Sequence, residues 1–508
     1  MRICIIVEGC YPHVVGGVSS WVHSMIRSFP RQEFVVVSIV AERSLRGKFA
    51  YTMPENVTEV HELYLNDVDW GTHLRKKRMS RVEYNALRSL LLDQQVDWET
   101  LFEYFQKSST SLNRVLMGED FLEAVKEFYR LNYSQMVFSD FLWMMRSIYL
   151  PLFQTMKMQL PEADLYHCVC TGYAGVLGSM AKHFYGGRML ISEHGIYTRE
   201  REEELLKAKW LQGIYKNIWI NQFRKMSRLA YNRADLVTSL YEHARELQVE
   251  LECPAAKTRV TPNGIPVERF QDLPGKTQED EGKINLGAVI RVTPIKDVKT
   301  LIQAFSFAKE REPALKLWIM GPWDNMDEDY ARECFELVDD LGLTDVVFTG
   351  RIDVRDYLGR MDMTILTSIS EGQPLTILES FAARRPVIAT DVGNCRGLVL
   401  GEGDDLGAGG IIVHVMNLEE ISQAILYLAH HPQERREMGE IGYRRVTSRY
   451  RLDQLQATYR EIYQSFAKSA GVPFEGDGAA AAPEPGAPMT QTAPEAQTAP
   501  EPREEVVV

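Results

Sequence analysis

The sequence is poor in the features that mark membrane-spanning, disulfide-stabilised and nucleic-acid-binding proteins. Its 508 residues contain no uncharged apolar run of about 18 residues, the length that a membrane-spanning helix needs. The seven cysteines are scattered and include no pair of C-x-x-C motifs, which is typical of a protein in a reducing cytoplasm. The net charge of −13 disfavours a general nucleic-acid binder, which is usually basic. We therefore expect a cytoplasmic protein with no nucleic-acid partner.

The rest of the composition is that of a globular protein, apart from one segment at the C-terminus. Hydrophobic residues make up 45% of the chain and charged residues 25%. The first apolar run, residues 3–7, ends at Glu8 and is too short for a secretory signal. Residues 472–508 are rich in Ala, Pro, Glu and Thr and carry −6 of the net charge. Such a segment buries too little apolar area to offset its loss of chain entropy, so we predict a disordered tail.

Two series of short β-branched runs, separated by helical patterns, predict two parallel sheets covered by helices on both faces. The first series lies at residues 3–7, 34–40, 165–169, 189–194 and 236–240, and the second, of six runs, begins near Lys283. We predict an α/β chain of two doubly wound domains. The predicted parts are an N-terminal domain (1–268) with a helical insertion at about 68–160, a second domain (269–450), a closing helix (451–470) that packs back toward the first domain, and the tail.

The strongest candidate site follows the fourth run of the second series, in the segment SISEGQPLTILESF. Glu371 and Gly372 precede Pro374, which fits the start of a helix, and Glu379 lies inside that helix. The N–H groups at a helix start attract anions, and Gly372 lets the backbone approach a ligand closely. Two carboxylates at different depths could hold sugar hydroxyls and a ribose diol. Alternatively, Glu371 only stabilises the helix start and Glu379 faces water.

Three further segments place polar or flexible residues after predicted strands. Arg291 and Lys296 lie in one strand-to-helix loop, where two cations suit a diphosphate or are simply surface charges. Gly16 and Gly17 follow the first strand without forming a G-x-G-x-x-G motif, so they indicate either a close ligand approach or a plain turn. His194 ends another strand of the first series, where a histidine is either structural or part of the site. In open α/β sheets, ligands bind at such strand ends.

Together these motifs resemble a known family. E-G-x-P-x₄-E at 371–379, R-x₄-K at 291–296, the Gly-Gly loop at 16–17 and PNGIP at 262–266 are similar to the retaining nucleotide-sugar glycosyltransferases of family 4. The ordered set spans most of residues 1–470. The resemblance implies the GT-B fold, in which two Rossmann-like domains face each other across a cleft. It also implies transfer of a hexose from a UDP-sugar, with UDP-glucose as the first expectation and a UDP-N-acetylhexosamine as the second.

The resemblance implies a role for each matching residue. In the predicted catalytic set, Glu371 would contact the hydroxyls of the donor hexose, and His194 would contact the sugar near its 6-hydroxyl. Arg291 and Lys296 would neutralise the diphosphate as UDP leaves, and Glu379 would hold the ribose. The other residues predicted to bind the donor or its nucleotide are Gly16, Gly17, Asn263, Arg351, Ile352, Gly372, Gln373, Pro374 and Leu375.

Within that second group, Arg351 and Ile352 would lie by the uracil mainly through their backbone groups. Gly16 and Gly17 would line the phosphate and acceptor side, and Gln373 is assigned only to the wall of the pocket. No D-x-D-type acidic pair stands out, and two cations already oppose the diphosphate charge. We therefore expect no cofactor and no metal ion, with the UDP-sugar acting as a substrate.

The resemblance also implies partners, and the residues leave other functions open. A polysaccharide acceptor is expected, and because no membrane segment is predicted, work on an exported polymer implies an inner-membrane synthase complex as a partner. One alternative is a UDP-sugar epimerase of the same fold. Another is a non-catalytic subunit of a polysaccharide export complex. A third is an ADP-sugar enzyme, since the residues alone do not exclude an adenine base.

Overall fold

The chain folds around two separate β-sheets, and the predicted two-sheet α/β fold is confirmed. The computed structural model describes residues 1–67, 78–107, 110–208, 211, 213–323 and 327–474. All strand pairings within the two sheets are parallel. Parallel strands need crossover connections, and here helices supply most of them and cover both faces.

The first sheet has seven strands in the order β3-β2-β1-β4-β5-β6-β7. These strands are β1 (Arg2–Glu8), β2 (Glu33–Val40), β3 (Val57–Tyr64), β4 (Leu165–Cys168), β5 (Arg188–Ser192), β6 (Leu236–Ser239) and β7 (Thr258–Val260). The helices of this half are α1 (Gly17–Ser28), α2 (Arg81–Leu91), α3 (Trp98–Gln106), α4 (Leu112–Leu116), α5 (Glu119–Asn132), α6 (Phe138–Lys157), α7 (Tyr173–Tyr185), α8 (Tyr197–Lys207), α9 (Gly213–Arg233) and α10 (Glu242–Glu250). Helices α2 to α6 occupy the predicted helical insertion, of which residues 68–77 lie outside the described ranges.

The second sheet has six strands in the order β10-β9-β8-β11-β12-β13. These strands are β8 (Ile284–Val289), β9 (Leu315–Met320), β10 (Val346–Gly350), β11 (Met363–Leu366), β12 (Val387–Thr390) and β13 (Gly410–Val413). The helices of this half are α11 (Val298–Arg311), α12 (Glu328–Asp340), α13 (Arg355–Leu358), α14 (Leu375–Ala382), α15 (Leu418–His430), α16 (Pro432–Arg449) and α17 (Leu452–Ala470). All six predicted strands of this series are present.

Alternation along β1 shows how the first sheet is buried on both faces. Cys4 and Ile6 belong to the core formed with the helical insertion, α7 and α9. Ile3, Ile5 and Val7 belong to a second core on the opposite face, which α1 and α17 cover. A strand that packs on both faces needs apolar side chains at successive positions, which is the pattern of the run at residues 3–7.

Helix α17 follows the second half of the chain and packs on the first sheet. The side chains of Leu455, Tyr459, Ile462, Tyr463 and Phe466 recur every three or four residues and are buried in the core beside α1. This spacing places them on one face of the helix. The covering of one face of the first sheet therefore depends on residues that lie at the far end of the chain.

The chain crosses between the two halves twice, and the two crossings pair with each other. The Ile265 amide donates to the Tyr450 carbonyl at 2.9 Å, and the Leu452 amide donates to the Ile265 carbonyl at 2.9 Å. A Cβ atom at Gly264 would lie 2.4 Å from the Arg451 carbonyl oxygen, so only glycine fits at this close approach. The hinge is thus a two-stranded contact rather than a single linker.

Two strands and the ends of several others differ from the sequence-based expectation. Strands β3 and β7 were not predicted, and both lie at edges of the first sheet. Strand β5 ends at Ser192, so His194 lies in the loop after the strand rather than at its last position. No helix in the described residues is long and apolar enough to cross a membrane. The predicted disordered tail lies outside the described residues from position 475 onward.

Candidate active site

The candidate site lies where the order of strands reverses in the second sheet. Strand β8 neighbours β9 on one side and β11 on the other, so the connections that leave β8 and β11 diverge at their carboxyl ends. Ligands of open α/β sheets bind at such a switch point. Arg291 and Lys296 follow β8, and Glu371 follows β11. The fold therefore brings together residues that are about 80 positions apart in sequence.

Lys296 and Glu371 form an ion pair at this point. The Lys296 Nζ atom lies 2.5 Å from Glu371 Oε1, and the two side chains are 21% and 12% exposed. Two hydrogen bonds join the loops that carry them: the Thr367 hydroxyl donates to the Lys296 carbonyl at 3.0 Å, and the Ile369 amide donates to the Ile295 carbonyl at 2.9 Å. The pair holds opposite charges close together at the edge of the sheet, within reach of a charged ligand.

Arg291 is exposed two residues beyond β8, on a backbone that its neighbours fix closely. The Val292 amide donates to the Pro322 carbonyl at 3.0 Å. Gly321 has φ +155°, and a Cβ atom there would lie 2.0 Å from the Ile290 carbonyl oxygen. This close contact needs glycine, and it holds the start of the Arg291 loop against the loop after β9.

The loop after β12 packs against the backbone of the loop at Glu371. The Asn394 amide donates to the Gly372 carbonyl at 2.8 Å. Gly393 has φ +52°, and a Cβ atom there would lie 2.1 Å from the Glu371 carbonyl oxygen. Sequence reasoning assigned no role to Gly393 or Asn394, although the TDVG segment that ends β12 is a turn signal.

Glu379 lies in the second turn of α14, behind this loop. Its side chain is partly exposed, and burial, followed by the nearby charge of Asp353, raises the pKa of its carboxyl to about 7. Asp353 belongs to the loop after β10 that also carries Arg351 and Ile352. Arg351 is exposed, whereas Ile352 packs against the apolar cluster around Trp318. The structure therefore brings Glu379, the predicted ribose residue, near the loop that carries Arg351 and Ile352, the predicted uracil residues.

Pro374 and Leu375 form the start of α14. Pro374 is the N-cap residue and Leu375 the first helical residue, so the predicted helix begins one position later than Pro374. Leu375 packs against the core of the second half. Proline costs little at a helix start, because the amide it lacks would have no partner inside the helix.

His194 brings the first half of the molecule into contact with this loop. A Cβ atom at Gly372 would lie 2.5 Å from the His194 carbonyl oxygen, so the glycine permits direct contact between the halves. The imidazole meets Trp21 edge to face, with ring centroids 4.5 Å apart. Burial lowers the pKa of His194 to about 4, so the ring is neutral near pH 7. Its Nε2 atom is buried and has no hydrogen-bond partner among the described residues.

A buried carboxylate that sequence reasoning missed fixes the start of the His194 loop. Glu193 accepts hydrogen bonds from the Tyr231 hydroxyl at 2.7 Å, the Gln248 amide at 2.9 Å and the Thr171 hydroxyl at 3.1 Å. Burial raises the pKa of Glu193, while these three hydrogen bonds favour its charged form. Nothing in the sequence indicated that Glu193 has a role different from that of His194, because the two residues are adjacent in the same motif.

Gly16 and Gly17 lie at the start of α1 and leave open space around them. At neither position does another atom of the described part of the chain lie within 4 Å of where a Cβ atom would be. Both are exposed, and Trp21 in the same helix reaches His194. This openness is compatible with the predicted ligand approach and does not distinguish it from a plain turn.

Gln373 and Asn263 join the two halves directly. The Asn263 amide donates to Gln373 Oε1 at 2.6 Å, and Gln373 Nε2 donates to the Leu240 carbonyl at 3.4 Å. Gln373 and Asn263 are both buried. Gln373 was predicted to line the pocket wall, whereas its side chain makes a bridge between the second half, the hinge and the first half.

Comparisons with known proteins agree with this architecture. The MMP alpha-(1->4)-mannosyltransferase of Mycolicibacterium hassiacum is 24% identical over 315 residues, which cover 60% of this chain and 71% of that protein. The structure of Anabaena Alr3699/HepE in complex with UDP superposes with a TM-score of 0.58 at 13% identity, covering 92% of this chain and all of that one. Sucrose-phosphate synthase from Thermosynechococcus elongatus also gives a TM-score of 0.58, at 15% identity and with coverage of 92% and 100%. The two structures establish the fold.

Family models cover the two halves separately. A domain of unknown function (DUF3492) matches residues 1–256. This range contains the helical insertion and every strand of the first sheet except β7. Glycosyl transferases group 1 matches residues 270–445, which contain the second sheet and the residues from Arg291 to Glu379. Residues 270–445 thus match glycosyl transferases group 1, and the chain belongs to the family defined by the DUF3492 domain.

Proposed function

We propose that the protein is a retaining glycosyltransferase that moves a hexose from a UDP-sugar onto a growing exopolysaccharide chain. UDP-glucose is the first donor to test, and a UDP-N-acetylhexosamine is the second. The observation that carries the proposal is the convergence of Lys296, Glu371 and Arg291 at the switch point of the group 1 domain. The UDP complex of the structural neighbour from Anabaena supports a uridine nucleotide.

The chemistry follows from the charges at the site. Breaking the bond between a sugar and a diphosphate leaves negative charge on UDP, and Lys296 and Arg291 are placed to offset it. The eight-residue helix α14 begins at Leu375, and its N-terminal amides add a favourable partial charge. The Glu371 carboxylate can then accept hydrogen bonds from hydroxyls of the hexose, with Lys296 turning from Glu371 toward the diphosphate.

We extend the proposal to metal independence. Arg291 and Lys296 offer two positive charges to the diphosphate, so the reaction has a source of charge neutralisation within the chain. Turnover measured after exhaustive treatment with a chelator should equal that of the untreated enzyme. Activity that disappears with the chelator and returns with Mg²⁺ or Mn²⁺ would contradict this part of the proposal.

The polymer and the partners are proposed from the sequence resemblance alone. The opening EGCYPHVVGGVSSWVH, the segment EHGIYTRERE and the long helical insertion resemble PelF, the glycosyltransferase of Pel exopolysaccharide synthesis. The proposed acceptor is therefore the Pel chain, and the proposed partners are PelG, PelD and PelE of an inner-membrane complex. Cell fractionation tests this: the protein should leave the membrane fraction when those partners are deleted.

Calorimetry without metal tests the donor site. We expect UDP and one of UDP-glucose, UDP-N-acetylglucosamine or UDP-N-acetylgalactosamine to bind the wild type, and ADP to bind poorly. Arg291→Ala should weaken binding of the diphosphate, whereas Arg332→Ala, which removes an exposed arginine that pairs with Asp329 and Glu336 on its own helix, should not. Incubation with the donor that binds then separates the alternatives: transfer supports the proposal, conversion to another UDP-sugar indicates an epimerase, and no binding of any nucleotide indicates a non-catalytic subunit.

A further inference from the structure

Gln373 has a side chain whose donor and acceptor are both used across the boundary between the two halves. Its Oε1 atom accepts from the Asn263 amide at 2.6 Å, and its Nε2 atom donates to the Leu240 carbonyl at 3.4 Å. Leu240 follows β6 in the first half, and Asn263 lies in the first crossing between the halves. The side chain is 5% exposed, so these backbone groups have little access to water when the contact is made.

The position of Gln373 links this bridge to the reacting groups. Glu371 and Gly372 immediately precede it, and Gly372 touches the His194 carbonyl. Asn263 adjoins Gly264, which packs against the second crossing at Arg451. One carboxamide therefore ties the Glu371 loop to the hinge on one side and to the first half on the other.

We propose that Gln373 is a positioning residue that stabilises the closed arrangement of the two halves, in which His194 meets the Glu371 loop. The inference rests on the proposed function only for its effect on turnover; the structural effect stands without it. When the halves separate, the Asn263 amide and the Leu240 carbonyl exchange the carboxamide for water. Because a carboxamide holds a donor NH2 group and an acceptor oxygen in one plane, it matches this pair of backbone groups, which an ionised or apolar side chain does not.

The first test replaces Gln373 by methionine, which has a similar length and neither hydrogen bond. Leaving a buried amide and carbonyl without partners shifts an equilibrium by roughly 5-fold to 150-fold, so turnover should fall by about 10-fold or more. Hydrogen exchange in peptides that contain Asn263 should accelerate by a similar factor. Binding of UDP, which the proposed function assigns to the second half, should stay close to that of the wild type. Gln423→Met is the matched control, because Gln423 is exposed on α15 and, within the described residues, its side chain bonds only Glu419.

A second variant gives a readout that general destabilisation would not produce. In Gln373→Glu, the ionised carboxylate can still accept from Asn263 but is repelled by the Leu240 carbonyl, whereas the protonated carboxyl can serve both. The ratio of variant to wild-type turnover should therefore be higher at pH 5.5 than at pH 8. The ionisable groups around this position, namely His194, Lys296, Glu371, Tyr241 and Cys395, are present in both proteins, so the ratio compares proteins that differ only at position 373.

The outcomes separate this inference from the proposed function. Wild-type exchange at Asn263 and wild-type turnover in Gln373→Met would overturn it, as would a pH-independent ratio for Gln373→Glu. If Gln373→Met does not fold, circular dichroism will show it, and the glutamate variant decides. If the wild type transfers no sugar, the proposed function fails, while the exchange rate at Asn263 still tests the bridge.

Discussion

At the scale of single residues, Gly393 shows how strongly the site depends on backbone geometry. Its φ of +52° is unfavourable for residues with a side chain, and its missing Cβ leaves room for the carbonyl oxygen of Glu371. The neighbouring Asn394 amide then reaches the Gly372 carbonyl. The placement of the Glu371 carboxylate thus depends on a residue that carries no functional group.

Gly393→Ala should therefore impair both stability and activity. The positive φ costs roughly 1 to 2 kcal/mol in the free energy of unfolding, and a Cβ at 2.1 Å from a backbone oxygen forces the Glu371 loop to move. Turnover should fall at least about 10-fold, as expected when a catalytic group is displaced. Gly282→Ala is the control, since Gly282 has φ +74° and open space around it. Equal activities of Gly393→Ala and Gly282→Ala would show that the contact between Gly393 and Glu371 does not affect activity.

Glu379 makes stability depend on pH. Burial raises the pKa of its carboxyl from 4.5 to about 7, so the folded state holds a proton between these values that the unfolded state has released. Stability contributed by the protonated group is complete below about pH 4.5 and is lost as the pH rises through 7. The loss is at most about 3 kcal/mol and is reduced by the partial exposure of the side chain.

Melting temperatures of the wild type and Glu379→Gln test this dependence. The glutamine variant lacks the titration, so its melting temperature relative to that of the wild type should rise between pH 5.5 and pH 8. A difference that stays constant over this range would contradict the raised pKa. The ratio of UDP affinities of the variant and the wild type should also change with pH, because only the wild type carries the carboxylate proposed to hold the ribose.

Several residues could be placed from the sequence, and others could not. Arg291, Lys296 and Glu371 were predicted as site residues because each follows a strongly apolar strand. A charged residue at that point lies either at the surface or in a ligand site. The bridge at Gln373 was not predicted, since its partner Leu240 is 133 residues away and contributes only a backbone carbonyl. Because nearly every residue has the same backbone groups, a hydrogen bond to a backbone carbonyl cannot be predicted from the identity of the residue that carries it.

At the scale of elements, α17 is the clearest case of a helix whose packing partner lies far away in sequence. Tyr459 bonds the hydroxyls of Ser192 at 2.9 Å and Thr238 at 3.2 Å, and Tyr463 bonds His167 at 2.8 Å. Together with its apolar face, these contacts fix the helix across β4, β5 and β6. Trp21 packs edge to face on Tyr459, with centroids 5.3 Å apart, and so connects this helix to His194.

A chain that ends at residue 450 should lose the structure of the first half. Five buried side chains at about 1.5 to 3 kcal/mol each amount to roughly the whole stability of an ordinary domain. A chain that ends at Phe474 retains α17 and is the matched control. Solubility, circular dichroism and proteolysis should show a disordered first half only in the shorter chain. A folded first half in both chains would show that the first half does not need α17 to fold.

The elements that sequence reasoning missed share a physical cause. Strand β3 has the sequence VTEVHELY and lies at an edge, where Thr58 and Glu59 are exposed, so it lacks a continuous apolar run. Strand β7 has three residues and lies at the other edge. Central strands such as β1 and β12 are buried on both faces, and for that reason they were visible in the sequence.

At the scale of the whole molecule, the two halves are joined by more than a linker. The crossings at Ile265 and Leu452 share a pair of backbone hydrogen bonds, Gln373 bridges to Leu240, and α17 completes the first core. Each of these contacts is lost if either half unfolds. The structure therefore predicts that the two sheets unfold together.

Calorimetry should show one thermal transition, which saturating UDP moves as a unit. Ligand at 100 times its dissociation constant adds about 2.7 kcal/mol to the free energy of unfolding. Gly264→Ala places a Cβ 2.4 Å from the Arg451 carbonyl and should split the transition into two, of which UDP moves one. Gly275→Ala, with open space around it, should behave as the wild type. Two transitions in the wild type would contradict the coupling.

The return of α17 to the first sheet also sets an order of events during synthesis on the ribosome. The strands and helices up to residue 260 emerge first, yet the part of one sheet face that α17 covers beside α1 stays exposed until Leu455 to Phe466 have left the exit tunnel. The intervening 190 or so residues, which include the entire second sheet, are made while that apolar face is exposed. The first half of the protein therefore stays incomplete while the second sheet is synthesised. During that time, chaperones that bind apolar segments can bind the exposed part of the first sheet.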